Sequence, residues 1–210
     1  MLDFLRTWLF PPACVACDAA GPALCAACAP SPRDAVVFEL DGVPAFALGR
    51  YDGALRRAIV AMKAGQRDPL DAFTELLAAR AAISGTLIPL STSRGRVLDR
   101  GFDQSVELAR RLASRRGVSC AEVLMKRGAP QVGRTRQQRI AAAGRFRLRN
   151  GAVLPETATL LDDVCTTGAT ARDAASVLRA TGVDVRRIIF LARTERPGIA
   201  RPSRDHEVYT

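Results

Sequence analysis

Aromatic residues are scarce in this chain: one Trp, two Tyr and eight Phe make up 5% of its 210 residues. So few flat side chains leave little for the bases of a nucleic-acid strand to stack on, and any such partner would have to be held mainly by charge. Long apolar runs are missing as well. The longest near the start, from Leu2 to Ala13, is broken by Asp3, Arg6 and the Pro11-Pro12 pair, well short of the roughly 20 apolar residues that a membrane-spanning helix needs. A secretory signal is also lacking, because Cys14 and Cys17 stand where the small residues of a cleavage site would fall. No internal repeat is found. These absences predict a soluble, cytoplasmic, globular protein with no membrane insertion. Its 48% hydrophobic content suffices for one well-buried domain plus a small accessory module.

Charge is plentiful but uneven. Between Arg94 and Arg149 stand 14 Arg and Lys126 against only Asp99, Asp103, Glu107 and Glu122. The chain's formal charge of +10 is therefore concentrated in that one stretch. Such a concentration points to an anionic partner, either a polyphosphate ligand or single-stranded DNA bound through segment 94–149. An Arg-rich solvated surface is the plainer alternative.

Four of the six cysteines fall in two close pairs, Cys14xxCys17 and Cys25xxCys28. Each CxxC turn aims two thiolates at one ion, and two turns complete a closed tetrahedral site, so these four predict a structural zinc module over residues 1–32. A pair of disulfides is the competing reading and needs an oxidising compartment. A thioredoxin-type redox pair fits less well, since no strand precedes the motifs.

Beyond the Pro30 to Pro32 joint, a second domain is expected over 33–195, with an irregular tail over 196–210. Val36 to Leu40 and Pro44 to Tyr51 read as a hairpin about Asp41-Gly42. Apolar spacing predicts helices over 53–64, 69–83 and 102–116 and a short buried strand over 86–90. Residues 123–126 read as a strand, and 129–144 as a long loop. Thr159 to Leu161 reads as a buried strand ending in Asp162-Asp163. A loop from Val164 to Thr170 follows, then a helix through Ala180, a stop at Gly182 and a strand over 187–192. Strands alternating with helices in this way predict an α/β fold with a mostly parallel sheet, whose ligands bind beyond the carboxyl ends of the strands.

The stretch from Leu160 to Thr170 carries the chemistry. Backbone N–H groups of a glycine-containing loop at a helix start, with Thr hydroxyls beside them, suit a phosphate monoester. The loop residues are Cys165, Thr166, Thr167, Gly168, Ala169 and Thr170. Two carboxylates next to that phosphate, Asp162 and Asp163, suit the vicinal hydroxyls of a ribose, so the ligand expected is a ribose 5-phosphate. The competing reading makes Asp163 a helix cap and Thr166-Thr167 a polar turn.

This segment resembles the phosphoribosyltransferase signature of strand, paired acids and Thr-Thr-Gly-x-Thr. Phe10-Pro11-Pro12-x-Cys14, Tyr51-x-Gly53-x-Leu55, Lys63, Ile88-Pro89 and Arg100-Gly101-Phe102-x-Gln104 accompany it in the order of the competence protein ComF family, nearly the full length being covered. The resemblance implies a type I phosphoribosyltransferase-like domain with helices flanking the sheet. It would bind 5-phosphoribosyl pyrophosphate with Mg²⁺ and transfer the phosphoribosyl group to a nitrogen nucleophile. It equally implies a competence role in which DNA and DNA-uptake proteins are partners and the pocket acts as a sensor. On the same ground Ile88, Pro89, Leu90 and Ser91 form the pyrophosphate loop and Gln131, Arg139 and Gly144 lie in a closing lid, while Lys63, Arg100 and Arg139 are candidates to contact pyrophosphate or the lid, solvated or ion-paired surface cations being the plainer reading of each. Asp103, Ser91 and Ala142 depart from the family pattern, which has Asn, Pro and Asn there.

Overall fold

The computed structural model describes residues 12–90, 103–126 and 144–194. A short 3-10 turn, Pro32–Asp34, is closed by the Asp34 carboxylate, which accepts from the Ser31 N–H at 2.6 Å. Strands β1 (Val36–Leu40) and β2 (Val43–Arg50) form an antiparallel hairpin. Its two turn residues, Asp41 and Gly42, both have positive φ, at 49° and 77°, which matches the right-handed twist of the strands they join.

Helices α1 (Gly53–Lys63) and α2 (Asp68–Arg80) follow, then β3 (Thr86–Pro89) and α3 (Gln104–Arg116). Asp103 starts α3 by accepting from the Ser105 and Val106 N–H groups at 3.1 and 3.3 Å, and Gly117 ends it at φ 63°; both are helix-end devices. A small antiparallel pair, β4 (Leu124–Lys126) with β5 (Phe146–Leu148), precedes β6 (Thr157–Cys165), α4 (Ala169–Arg179) and β7 (Asp184–Arg193).

The main sheet has the order β1-β2-β7-β6-β3, and every neighbouring pair except β1 with β2 is parallel. Apolar residues of the central strands face both ways, as strands covered on both sides must. On one face Leu48, Leu161, Ile189 and Leu191 pack against α1, α2 and α3. On the other, Ile88, Leu160, Ile188 and Phe190 pack against α4 and against Leu124 and Phe146 of the small pair. The α/β class and the mostly parallel sheet are as expected.

Several boundaries differ from the sequence expectations. Strand β6 does not end at the acids but runs through Asp162 and Asp163 to Cys165, because β7 keeps pairing with it as far as Cys165 opposite Arg193. The loop before α4 is correspondingly only three residues, 166–168. Strand β7 runs from Asp184 to Arg193, beginning three residues earlier and ending one residue later than the strand expected over 187–192. Helix α2 stops at Arg80, where Ala81 turns extended. Thereafter the Ser84 N–H donates to the Thr159 hydroxyl at 2.9 Å. Strand β5 was not expected at all. The proposed tail, 196–210, lies outside the described residues.

Gly85 ties the two site-bearing strands together. At φ 69° it lies so close to β6 that a Cβ would stand 2.2 Å from the Thr157 carbonyl oxygen, whereas Gly182, at φ 86°, faces open space. Gly182→Ala should therefore lose only about 1 kcal/mol, from backbone strain. Gly85→Ala adds a steric clash and should lose about 2 to 4 kcal/mol. Urea unfolding of the two variants measures the difference, and equal losses would show that β3 can slide away from β6 freely.

Candidate functional site

The carboxyl ends of β6, β7 and β3 meet where the loop 166–168 turns into α4. Thr166 and Thr167 are exposed there, while Gly168 is buried. Gly168 opens α4 at φ 76° without any side-chain cap, and a Cβ on it would stand 2.7 Å from Cδ2 of Leu40. The absence of a side chain at 168 is thus set by the hairpin behind the loop, not only by a ligand in front of it.

Three contacts hold the loop. Arg172 donates to the Thr167 carbonyl at 2.8 Å and to Asp41 at 2.9 Å. The Thr194 N–H donates to the Cys165 carbonyl at 2.9 Å, and Arg145 donates to the Thr170 hydroxyl at 3.1 Å. The Ala169 N–H meets the Thr167 hydroxyl at 3.3 Å. Backbone N–H groups of Thr167, Gly168 and Thr170 find no acceptor among the described residues, as is usual for the first turn of a helix. They leave a row of donors at the positive end of the α4 dipole, suited to an anion.

The two acids differ sharply. Successive strand residues face opposite sides of a sheet, and Asp163 lies on the Leu161 side, where Lys63 at the end of α1 pairs with it at 2.8 Å. Its other oxygen accepts from the Val164 N–H at 2.6 Å. Asp162 accepts from the Asp163 N–H at 2.9 Å. Burial pushes the Asp162 carboxyl up to about 7 and the neighbouring Asp163 charge adds to the rise, while that hydrogen bond, Lys126 and Lys63 pull it down. Lys126, at the end of β4, was read from the sequence only as part of a strand; nothing local to it foretold its place beside Asp162.

Two further residues hold α1, the helix that ends at Lys63. Gln104, buried at the start of α3, donates to the Met62 carbonyl at 3.5 Å, and Arg57 donates to the Ala16 carbonyl at 2.7 Å. Pro89 closes β3, and the Leu90 N–H donates to the Leu161 carbonyl at 2.8 Å, which sets these two residues beside β6. Ser91, Arg100, Gln131, Arg139 and Ala142 lie outside the described residues. Asp103 caps α3.

Sulfur atoms of Cys14, Cys17, Cys25 and Cys28 all lie within 4.8 Å of one another. The Cys17 to Cys25 separation is 3.7 Å, against about 3.8 Å for two thiolates each about 2.3 Å from one tetrahedral zinc. The Cys25 N–H points at the Cys14 sulfur from 3.5 Å. The four therefore fit a metal ion, and an all-sulfur tetrahedron selects zinc over hard cations. Cys120 and Cys165 stand apart from this group.

The described part of the basic segment is largely committed within the protein. Arg110 and Arg149 both meet Glu122, Arg111 meets Glu107 and Asp71, Arg115 meets Glu75 at 2.8 Å, and Arg116 donates to the Ala78 carbonyl. These pairs clamp α3 to α2 and to β4. Among the described residues no helix is long and apolar enough to cross a membrane.

No protein-family model matches the chain and no curated protein matches it. Among solved structures it is similar to the allosteric regulatory enzyme of purine biosynthesis, at 17% identity and a TM-score of 0.42 over 72% of this chain; it spans 27% of that protein's length. It is also similar to orotate phosphoribosyltransferase from Aeropyrum pernix, at 16% identity and a TM-score of 0.42, covering 77% of both chains. A third, adenine phosphoribosyltransferase from Leishmania tarentolae, shares 17% identity at a TM-score of 0.37, over 65% of this chain and 74% of that one. The α/β description stands on the strand order itself.

Two predictions follow from these sites. Protein purified without chelator should carry one zinc per chain by elemental analysis, and the Cys17→Ser/Cys25→Ser double variant should carry none; a metal-free wild type would remove the zinc site. For Asp162, the unfolded chain ionises near pH 4 while the folded chain holds its proton to about pH 7. The folded state therefore binds more protons across that window, and Asp162 lowers stability as pH rises through it. Without ligand, the melting temperature of Asp162→Asn relative to wild type should climb from pH 4 to pH 7 and then level off. A constant difference would mean that Asp162 is not desolvated.

Proposed function

We propose that this chain binds 5-phosphoribosyl pyrophosphate and transfers its phosphoribosyl group to a nitrogen nucleophile. One observation carries the reading: a central parallel strand delivers Asp162 and Asp163 beside a three-residue turn whose free N–H groups open α4. A phosphate receptor next to two carboxyls at a strand end suits a ribose 5-phosphate. The motif order shared with the ComF family and its phosphoribosyltransferase signature supports the same reading.

In this reading residues 165–170 hold the 5′-phosphate, and Asp162 and Asp163 accept hydrogen bonds from the ribose hydroxyls. Pyrophosphate lies toward Pro89 and Leu90, and the chain's zinc, held by the four cysteines, has a structural role. Mg²⁺, bound mainly by ligand oxygens and water, would neutralise the pyrophosphate. In the transfer, the bond between C1 of the ribose and the pyrophosphate oxygen breaks and its electron pair leaves on pyrophosphate. The acceptor nitrogen's lone pair forms the new bond to C1, and the acceptor's N–H proton passes to water. Positive charge develops on the sugar as that bond stretches, and the carboxylates beside it stabilise that charge. Lys63 pairs with Asp163 while the site is empty and is freed when the ribose hydroxyls take its place. Binding of single-stranded DNA is the weaker reading, because most of the described arginines of the basic segment already have protein partners.

Calorimetry with 5-phosphoribosyl pyrophosphate and Mg²⁺ tests the assignment. Asp163→Asn and Asp162→Asn should each weaken binding at least tenfold, by loss of charge-assisted acceptors. Ribose 5-phosphate, which carries both the diol and the monoester, should compete. Wild-type affinity in both folded variants would reduce the motif to a helix start.

A further inference from the structure

We infer that Arg193, held flat on Phe38, recognises the acceptor, and that it selects a planar nitrogen heterocycle bearing a carboxylate. The inference rests on the phosphoribosyl reading above and extends it to the second substrate.

Arg193 ends β7, in register with Cys165 of β6 on one side and Arg50 of β2 on the other. Its backbone is pinned, since its carbonyl accepts from the Tyr51 N–H at 2.8 Å, and the next residue, Thr194, clamps the phosphate turn. Its guanidinium lies 3.8 Å from the centre of the Phe38 ring, which itself stacks on Phe190 at 6.0 Å and 22°. A guanidinium this close to a ring face favours a parallel, stacked arrangement, with its N–H donors spread along the plane. Arg111, Arg115, Arg149 and Arg172 all meet carboxylates. Arg193 meets no hydrogen-bond acceptor among the described residues. None of its nitrogens is sealed from solvent without a partner, so the edge is open to a ligand.

The strand order says which ligand reaches it. In an in-line displacement at C1, the incoming nitrogen and the departing pyrophosphate occupy opposite sides of the carbon. With β3 on one side of β6 and β7 on the other, pyrophosphate at Pro89 and Leu90 leaves the β7 side, and hence Arg193, to the acceptor. A planar fork of N–H donors at fixed orientation matches a carboxylate in two parallel hydrogen bonds. A ring whose edge has no anionic oxygen would leave that fork unmatched.

The test uses calorimetry on the full chain saturated with ribose 5-phosphate, which lacks the pyrophosphate and so permits no transfer. Nicotinate is compared with nicotinamide, and orotate with uracil, pairs that share a ring and differ in the carboxylate. At least one carboxylated probe should bind tenfold or more tighter than its neutral counterpart. Arg193→Gln should abolish that preference, and Phe38→Leu should reduce it by freeing the guanidinium. Arg193→Lys should retain part of it, keeping charge but losing the fork. Ribose 5-phosphate affinity should stay within twofold in all three. No preference in wild type for either pair, or a preference that survives Arg193→Gln, would overturn the inference. Failure of ribose 5-phosphate to bind wild type would instead remove the phosphoribosyl reading beneath it.

Discussion

Everything at the site depends on how abruptly β6 becomes α4. The chain leaves the sheet at Cys165 and is helical by Ala169, so three residues must reverse its direction. Gly168 does this in a left-handed conformation with Leu40 against its α-carbon. Arg172 and Thr194 fix the turn from opposite sides. With its carbonyls occupied from behind, the turn leaves its N–H groups facing outward in one arrangement. A turn built this way would need little rearrangement to meet an anion, which is the condition under which backbone dipoles act most strongly.

The acids inherit their difference from the same strand. Because β6 stays paired beyond Leu161, Asp162 and Asp163 obey strand alternation and meet different surroundings. Asp163 has an ammonium group at hydrogen-bond distance, whereas Asp162 has burial and a like charge with more distant lysines. Two adjacent carboxyls thus meet different surroundings, and burial raises the Asp162 carboxyl well above the usual carboxylate range. The helix that supplies Lys63 is held by Gln104 near that end and by Arg57 against the four-cysteine segment.

Much of this was legible in the residues because it is local. Paired CxxC turns, the spacing of Leu55, Ile59 and Met62, and the run from Leu160 to Thr170 each carry their meaning within a few positions. What was hidden depends on partners far along the chain. Asp162-Asp163 reads as a polar stop, and only pairing with Phe190 and its neighbours carries the strand onward. Phe146 to Leu148 is too short to announce a strand without Leu124 to Lys126 opposite it. Arg193 stands just past the strand expected over 187–192, and nothing local announces that Phe38, from the edge strand β1, is brought beneath it. Nor could the sequence foretell what the described arginines of the basic segment meet, since the carboxylates that pair with Arg111 and Arg115 lie on α2.

The four-cysteine segment also has a bearing on biosynthesis. Cys14, Ala16 and Leu24 belong to the same packed cluster as Leu55, Ala58, Phe73 and Leu77, and Arg80 donates to the Pro30 carbonyl at 2.6 Å. A ribosome makes about 5 to 20 residues per second, so the thiols emerge several seconds before α1 and α2 are available to cover them. During that interval a metal ion is what can hold the knuckles in shape, as small metal modules order themselves on binding. For a chain whose knuckles take a metal ion, supply of that ion at the moment of translation, rather than afterwards, would govern how much of it reaches its finished form.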